Sequence, residues 1–546
     1  MKNYFALSFF LLFLFTGNVK GQKVDYQIVP LPKEIKEGTT GNTPFVLMQS
    51  TRIVYPKHNK QMQRNAEFLS EYVKDVTGYG LKIGTRKIKS PAISLTLGLQ
   101  SSNPEAYSIN ISEAGIQIQG ASEAGVFYGI QALRKSMPIG KYAQIEFPSV
   151  EINDYPEFGY RGALLDISRH FFTKEEVKEY IDMMALHNMN RFHWHLTDDQ
   201  GWRIEIKKYP ELTSIGSQRK ESQNGYYENH ERVLKFDGIP HGGFFTQDDI
   251  KEVVAYAAER YITIIPEIDL PGHMVSALAS YPELGCTGGP YNVWTHWGIS
   301  EDVLCAGNEK TYQFLTDVFD EIMELFPSTY IHIGGDECPK TRWAQCPKCQ
   351  AKIKAEGIKS DDKHTKEEYL QSYVMKYMSD YLSEHGRKII GWDEILEGEA
   401  APGATIMSWR GEAGGIEAAR LGHDVIMVPN NYLYLDYYQS KDYESEPYYA
   451  IGGYNPVDKI YNYNPLPASL NETEKAHIIG VQANLWTEYI KDFKQVEYMI
   501  LPRWGAVAEI QWTGGAKDYP AFLKRLDKFV KLYQAKGYTY AKHAFQ

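Results

Sequence analysis

The chain has no surplus of positive charge. Its 58 Lys and Arg are outnumbered by 69 Asp and Glu, a net charge of −11, so there is no basic excess to neutralise nucleic-acid phosphates or an anionic membrane. Long apolar runs are missing beyond the first few residues, so no membrane-spanning helix of about 20 apolar residues is expected. The Gly-rich phosphate fingerprint of nucleotide-binding α/β folds is also absent. Cysteine is scarce, and its count of five is odd, which leaves at least one thiol without a partner inside the chain. What is present is enough to fold. A hydrophobic fraction of 43% can fill a core, and 23% charged residues cannot keep the chain disordered. At 546 residues the chain exceeds a single core of about 250–300, so two domains are expected, one of them large. Forty Tyr and ten Trp suit either an aromatic core or flat faces for a sugar's C–H groups, and composition leaves both open.

Lys2, the apolar run over residues 4–15 and the small Gly21 predict a secretory signal over residues 1–21, with cleavage before Gln22. An exported protein, periplasmic or extracellular, is expected; an uncleaved interfacial anchor is the alternative. Export permits disulfides. Cys286 and Cys305 bracket a Gly/Pro/Trp-rich stretch and are expected to staple that loop. Cys346-Pro-Lys-Cys349 has the spacing of a zinc knuckle, but only Cys338 is near enough in sequence to be a third ligand. For these three cysteines a disulfide is expected, with free thiols or a metal as alternatives.

Residues 22–155 read as an α+β domain. Residues 104–111 and 115–120 alternate with period two, and Val126, Ile130 and Leu133 share a helical face behind a Ser122 cap. From residue 156 to 546 the pattern changes. Apolar runs at 162–168, 191–197, 262–268, 330–335, 388–392, 405–409, 424–428 and 478–483 alternate with amphipathic segments such as 173–187, 246–260, 309–326 and 366–385. Eight buried strands alternating with helices predict a (β/α)8 TIM barrel preceded by the smaller α+β domain. A doubly wound open sheet is the rival.

A barrel of this kind builds its active site at the C-terminal ends of the strands. Those ends read Asp166…Arg169-His170, His193-Trp194-His195…Asp198-Asp199, Glu267…Asp269…His273, Gly334-Gly335-Asp336-Glu337, Trp392-Asp393-Glu394, Trp409-Arg410, Tyr434-Leu435-Asp436 and Trp486-Thr487-Glu488. All eight end in carboxylate, His, Arg, Tyr or Trp, more than packing alone requires, and an enzyme is expected. Carboxylates between aromatic walls suit glycoside hydrolysis. Asp336 and Glu337 are adjacent, however, and neighbours on a strand point in different directions. They cannot easily flank a glycosidic bond as nucleophile and acid. They can serve if the substrate's 2-acetamido oxygen is the nucleophile, with Asp336 holding the acetamido N–H and Glu337 as general acid and base.

On the run from Arg161 to His170, His193-Trp194-His195 with Asp198-Asp199, Pro271-Gly272-His273 and His332-Ile333-Gly334-Gly335-Asp336-Glu337, the chain resembles glycoside hydrolase family 20, the β-N-acetylhexosaminidases. The resemblance covers nearly all of the mature chain. It implies that Asp336, Glu337, Asp198 and His273 are catalytic, the last two as a buried relay to Glu337. It also implies that Arg169 holds the 3- and 4-hydroxyls, that Trp392, Trp409 and Trp486 wall the pocket, and that Tyr434 donates to the acetamido oxygen. Asp436 and Glu488 would accept from the 4- and 6-hydroxyls. The implied partner is a glycan with a terminal N-acetylhexosamine, GlcNAc or GalNAc; no cofactor, metal or nucleic acid is expected. Ten Tyr between residues 432 and 463 form either a self-packed loop or an aromatic subsite. Three rival readings are a lacto-N-biosidase-like release of disaccharides, a metal-dependent amidohydrolase built on His193, His195, His273, His332 and Asp336, and a non-catalytic carbohydrate-binding protein.

Overall fold

A computed structural model describes residues 22–38, 43–86, 91–225, 234–515 and 518–545; the expected signal at 1–21 lies outside them. Among the described residues no helix is long and apolar enough to cross a membrane. The N-terminal part is a seven-stranded mixed sheet with a three-stranded sheet beside it. Helices Lys60–Thr77 and Glu123–Ser136 pack against the larger sheet and each other. The expected strand pair is an antiparallel ladder of Tyr107–Ser112 on Gly115–Gly120. The helix after it begins where the sequence placed its cap, with Ser122 accepting from the Gly125 amide.

The second part is a closed parallel barrel of β1 (Tyr160–Asp166), β2 (Arg191–His195), β3 (Thr263–Leu270), β4 (Tyr330–Gly334), β5 (Lys388–Trp392), β6 (Thr405–Ser408), β7 (Val425–Met427) and β8 (Ile478–Leu485). Strands covered on both faces must be apolar almost throughout, and these are buried nearly end to end. Three of the outer helices, α1 (Lys174–Leu186), α2 (Gln247–Ala258) and α3 (Lys366–Glu384), start with the same device. Thr173, Thr246 and Thr365 each cap the amide of the third helical residue, whose carboxylate (Glu176, Asp249 or Glu368) returns the bond. This closure excludes the open-sheet rival.

The N-terminal domain sits on the end of the barrel where β1 to β3 begin. Arg161, 1% exposed, donates to Glu105 at 2.6 and 3.1 Å, to the Tyr128 hydroxyl at 2.9 Å and to the Phe158 and Asn188 carbonyls. Asn190 also donates to Glu105, and Trp512 donates to Asp154 at 2.9 Å. Burial would lift the Glu105 carboxyl, but Arg161 overrides this and holds it below the usual range. Removing one partner of such a pair strands the other charge away from water. Arg161→Ala is therefore expected to destabilise the chain by about 3–5 kcal/mol, read as a lower denaturant midpoint for both domains. An unchanged midpoint would mean the seam is not held this way.

The cysteines differ from expectation. All five are free thiols, and the Cys286–Cys305 staple is not formed. Cys338 stands apart from the Cys346–Cys349 pair, while Cys286 and Cys305 come to that pair instead. Sequence spacing could not reveal this, because the two loops meet only after the barrel has closed.

Candidate active site

The chain past β4 is shaped by two glycines in the left-handed region, Gly334 (φ +64°) and Gly335 (φ +99°). A Cβ on Gly334 would overlap the Asp269 carboxylate, so this turn admits no side chain there. Glu337 follows at φ +44° and His273 lies at φ +51°, conformations that non-glycine residues adopt only when held there. The turn brings Asp336 and Glu337 to one imidazole. His273 Nε2 lies 3.5 Å from Glu337 Oε2 and 3.7 Å from Asp336 Oδ2. Its other nitrogen, Nδ1, lies 3.1 Å from Asp198 Oδ1 and 3.3 Å from Asp199 Oδ2. Asp198, just past the end of β2, also meets His195 Nε2 at 3.0 Å and Arg169 Nη2 at 2.8 Å.

These contacts set the charges. Burial disfavours the His273 cation, but the Asp198 carboxylate overrides it and raises the imidazole well above its ordinary value. Burial likewise works against ionised Asp198, and Arg169 and His273 together hold it well below the carboxylate range. Asp336 behaves differently. Burial, offset by His273 and reinforced by the Glu337 charge, raises it to about 6.

The pocket is a cavity of about 460 Å³, the size of small-molecule sites. It is lined by Arg169, Asp198, Asp336, Glu337, Trp392, Trp409, Tyr434, Asp436, Trp486 and Glu488, together with Trp297, Ile299 and Tyr437. Every residue to which the resemblance gives a role lines it except His273, which stands behind Asp336 and Glu337. Trp392 and Trp486 lie 5.8 Å apart and Trp409 stacks on Tyr434 at 6.0 Å, so the four rings make a continuous apolar wall. Arg169 lies over Trp486 and is fixed by Asp166 at 3.2 Å and Gln200 at 3.1 Å, with Glu488 at 3.7 Å. Tyr434 and Asp436 enter because the segment after β7 pairs beside the end of β8, Tyr434 with Asn484. Burial, with Asp436 nearby, keeps the Tyr434 hydroxyl protonated, a donor at any working pH. Asp436 is raised by burial and by the Glu488 charge, and Glu488 by burial.

Several supports were missed from sequence. Glu267 on β3 lies 2.8 Å from His332 Nδ1 and 3.0 Å from His193 Nε2, bonds His195, and accepts from the Trp392 indole at 2.9 Å. His193 and His332 are fully buried against this carboxylate and do not line the pocket, so these imidazoles of the amidohydrolase reading gather around Glu267 behind it. Glu394 accepts from the Trp409 indole at 2.9 Å, and burial with the Asp336 charge raises it to about 9. Trp297 and Ile299 come from the long loop after β3, where no strand-end rule points. The Tyr-rich insertion is partly packed on itself and partly at the pocket wall. Tyr432 stacks on Tyr463 and Tyr438 on Tyr443, while Tyr434 and Tyr437 face the pocket.

Comparison with known proteins agrees with this architecture. Residues 158–515 match the family model for glycosyl hydrolase family 20, catalytic domain, and residues 25–155 match that family's domain 2. The chain belongs to glycosyl hydrolase family 20. A β-hexosaminidase of Porphyromonas gingivalis is 43% identical over 511 residues, covering 92% of this chain and 62% of its own length. The chain thus spans under two thirds of that relative. The family 20 β-N-acetylhexosaminidase of Streptomyces coelicolor superposes with a TM-score of 0.79 at 29% identity, covering 94% of this chain and 97% of its own. A mutant Streptomyces plicatus β-hexosaminidase, solved with its product GlcNAc, gives 0.78 at 29% identity, covering 94% and 96%.

Proposed function

We propose that this family 20 protein is an exo-acting β-N-acetylhexosaminidase that retains anomeric configuration through the substrate's own acetamide. The observation that carries the reading is that Asp336 and Glu337 lie 3.7 and 3.5 Å from the same His273 nitrogen. Consecutive carboxylates facing one imidazole cannot bracket a sugar from opposite faces, as a protein nucleophile and a separate acid must. The acetamido carbonyl oxygen instead attacks the anomeric carbon while Asp336 accepts from the acetamido N–H and Tyr434 donates to the oxygen. Glu337 protonates the departing oxygen, and an oxazolinium-type intermediate results. Glu337 then takes a proton from the water that opens it. Asp198 and His273 form the relay behind Glu337, and Arg169 holds the 3- and 4-hydroxyls with its forked donors.

Recognition of a single terminal sugar has further support. Among the described residues, Asp336 Oδ1, Asp436 Oδ1 and Glu488 Oε2 are buried acceptors without a hydrogen-bond partner. Buried polar groups are ordinarily satisfied, and the N–H and hydroxyls of an N-acetylhexosamine supply the missing donors. Asp436 and Glu488 at the 4- and 6-hydroxyl end favour one sugar over the disaccharide of a lacto-N-biosidase. Residues 1–21 support export of the enzyme to the periplasm or beyond.

The test is release of 4-nitrophenol from the β-N-acetylglucosaminide, its galacto epimer and the matching 2-hydroxy glucoside. Cleavage of the acetamido sugars without the glucoside is expected. Equal cleavage of the glucoside would require a protein nucleophile and overturn the role of Asp336. No turnover of any of the three would favour the disaccharide-releasing or binding reading.

A further inference from the structure

Four of the five cysteines converge outside the catalytic pocket. Cys286 and Cys305 come from the loop between β3 and the helix Glu309–Leu325, and Cys346 and Cys349 from the head of the helix Pro347–Ala355. The two ends of the first loop are joined by a bridge between Gly285 and Leu304, which sets Cys286 beside Cys305. The second pair is drawn onto them at Gly307, where a Cβ would overlap the Lys348 and Cys349 backbone. Cys305 Sγ then lies 3.7 Å from both Cys346 Sγ and Cys349 Sγ, and Cys286 Sγ lies 3.8 Å from Cys349 Sγ. All four sulfurs lie within 4.8 Å of one another, and Cys305, Cys346 and Cys349 are buried.

These spacings fit one arrangement. A disulfide needs sulfurs about 2.05 Å apart, and Cys305, equidistant from two others, favours neither as a partner. Four thiolates each about 2.3 Å from a central tetrahedral ion have their sulfurs about 3.8 Å from one another, the spacing of a zinc tetrathiolate. No His or carboxylate belongs to the group, which suits a soft, all-sulfur ligand set.

We propose that Cys286, Cys305, Cys346 and Cys349 hold a structural zinc ion. Binding is redox-neutral: Zn²⁺ replaces four thiol protons, forming four Zn–S bonds and releasing four protons to solvent. The ion would tie together the two loops that frame the pocket. The stretch between Cys286 and Cys305 carries Trp297 and Ile299 to the pocket wall, and the Cys346–Cys349 pair follows Glu337 in the same strand-end loop. With all four coordination positions taken by sulfur, this zinc has no open place for water and stands outside the chemistry.

The test is metal analysis of the full chain, purified without chelator or reductant from zinc-supplemented medium. One zinc per chain is expected, released as a mercurial reagent titrates the cysteine sulfurs, with all five cysteines reacting as thiols in denaturant once the metal is removed. Cys349→Ser is expected to lose the zinc and Cys338→Ser to keep it. Cys338→Ser and the unmodified chain keep the test decisive even if Cys349→Ser fails to fold. Fewer than five thiols with no zinc would show disulfides instead and overturn the proposal. Five thiols with no zinc bound at micromolar supply would overturn it too, as would iron in place of zinc.

Discussion

Glu337→Gln is expected to lower kcat/KM by about 10²–10⁴-fold on substrates whose leaving group is a second sugar, because such an oxygen departs only with a proton. On an aryl leaving group acidic enough to depart as an anion the first step should survive, leaving a much smaller loss. The contrast follows from geometry. Glu337 faces the pocket, 3.5 Å from an imidazole held cationic by Asp198, and the glutamine keeps the size and one acceptor but has no acidic proton. The check is a side-by-side comparison of a chitobiose-type substrate with an activated aryl N-acetylglucosaminide. Equal losses on both would remove Glu337 from the acid's role and leave it only a place in binding.

Asp336→Asn should separate activity from stability. Activity is expected to fall about 10²–10³-fold on both leaving groups, since the acetamide is no longer held for attack. Stability is expected to move the other way. In the folded chain Asp336 keeps its proton up to about 6, against about 3.9 when unfolded. The folded state therefore binds more protons between these values, and stability contributed at low pH is lost as pH rises from about 4 through about 6. Asparagine removes that cost. The variant should be more stable than the parent at neutral pH, by on the order of 1–3 kcal/mol, and little different near pH 4. In the parent the same titration should give the pH profile of kcat/KM an acidic limb near 6, because protonated Asp336 has lost the negative charge that holds and polarises the acetamido N–H. Thermal melts at two pH values and one pH–rate profile check both parts. A variant less stable than the parent at pH 7 would show that Asp336 is satisfied in the resting protein after all.

The barrel and most of its pocket were legible for a physical reason. Parallel strands covered on both faces are continuous apolar runs, so each of the eight announced itself, and each ended in the residue it presents. Gly334-Gly335 marked the turn before Asp336 because only glycine passes beside Asp269 there. Residues that act from a distance along the chain were not legible. Glu267 looked like one more strand-end carboxylate, yet it anchors three imidazoles and the Trp392 indole, a role that exists only once β2, β3, β4 and β5 are neighbours. Trp297 and Ile299 belong to a loop without periodicity, and nothing local said they would fold back over the pocket. The cysteines mislead for the same reason: close spacing within a loop suggested partners, and closure of the barrel supplied others.

The Arg161–Glu105 seam lies at the end of the barrel from which the strands set out, and the pocket opens at the end where they finish. The two faces look in opposite directions. Anything attached to the N-terminal domain, whether a bead, a surface or a fused protein, therefore leaves the mouth turned outward. On the proposed function, a long or insoluble glycan would present its terminal sugar to that mouth without meeting the attachment. The small domain acts as a handle on the barrel, and its outer face can be altered without narrowing the approach to Glu337.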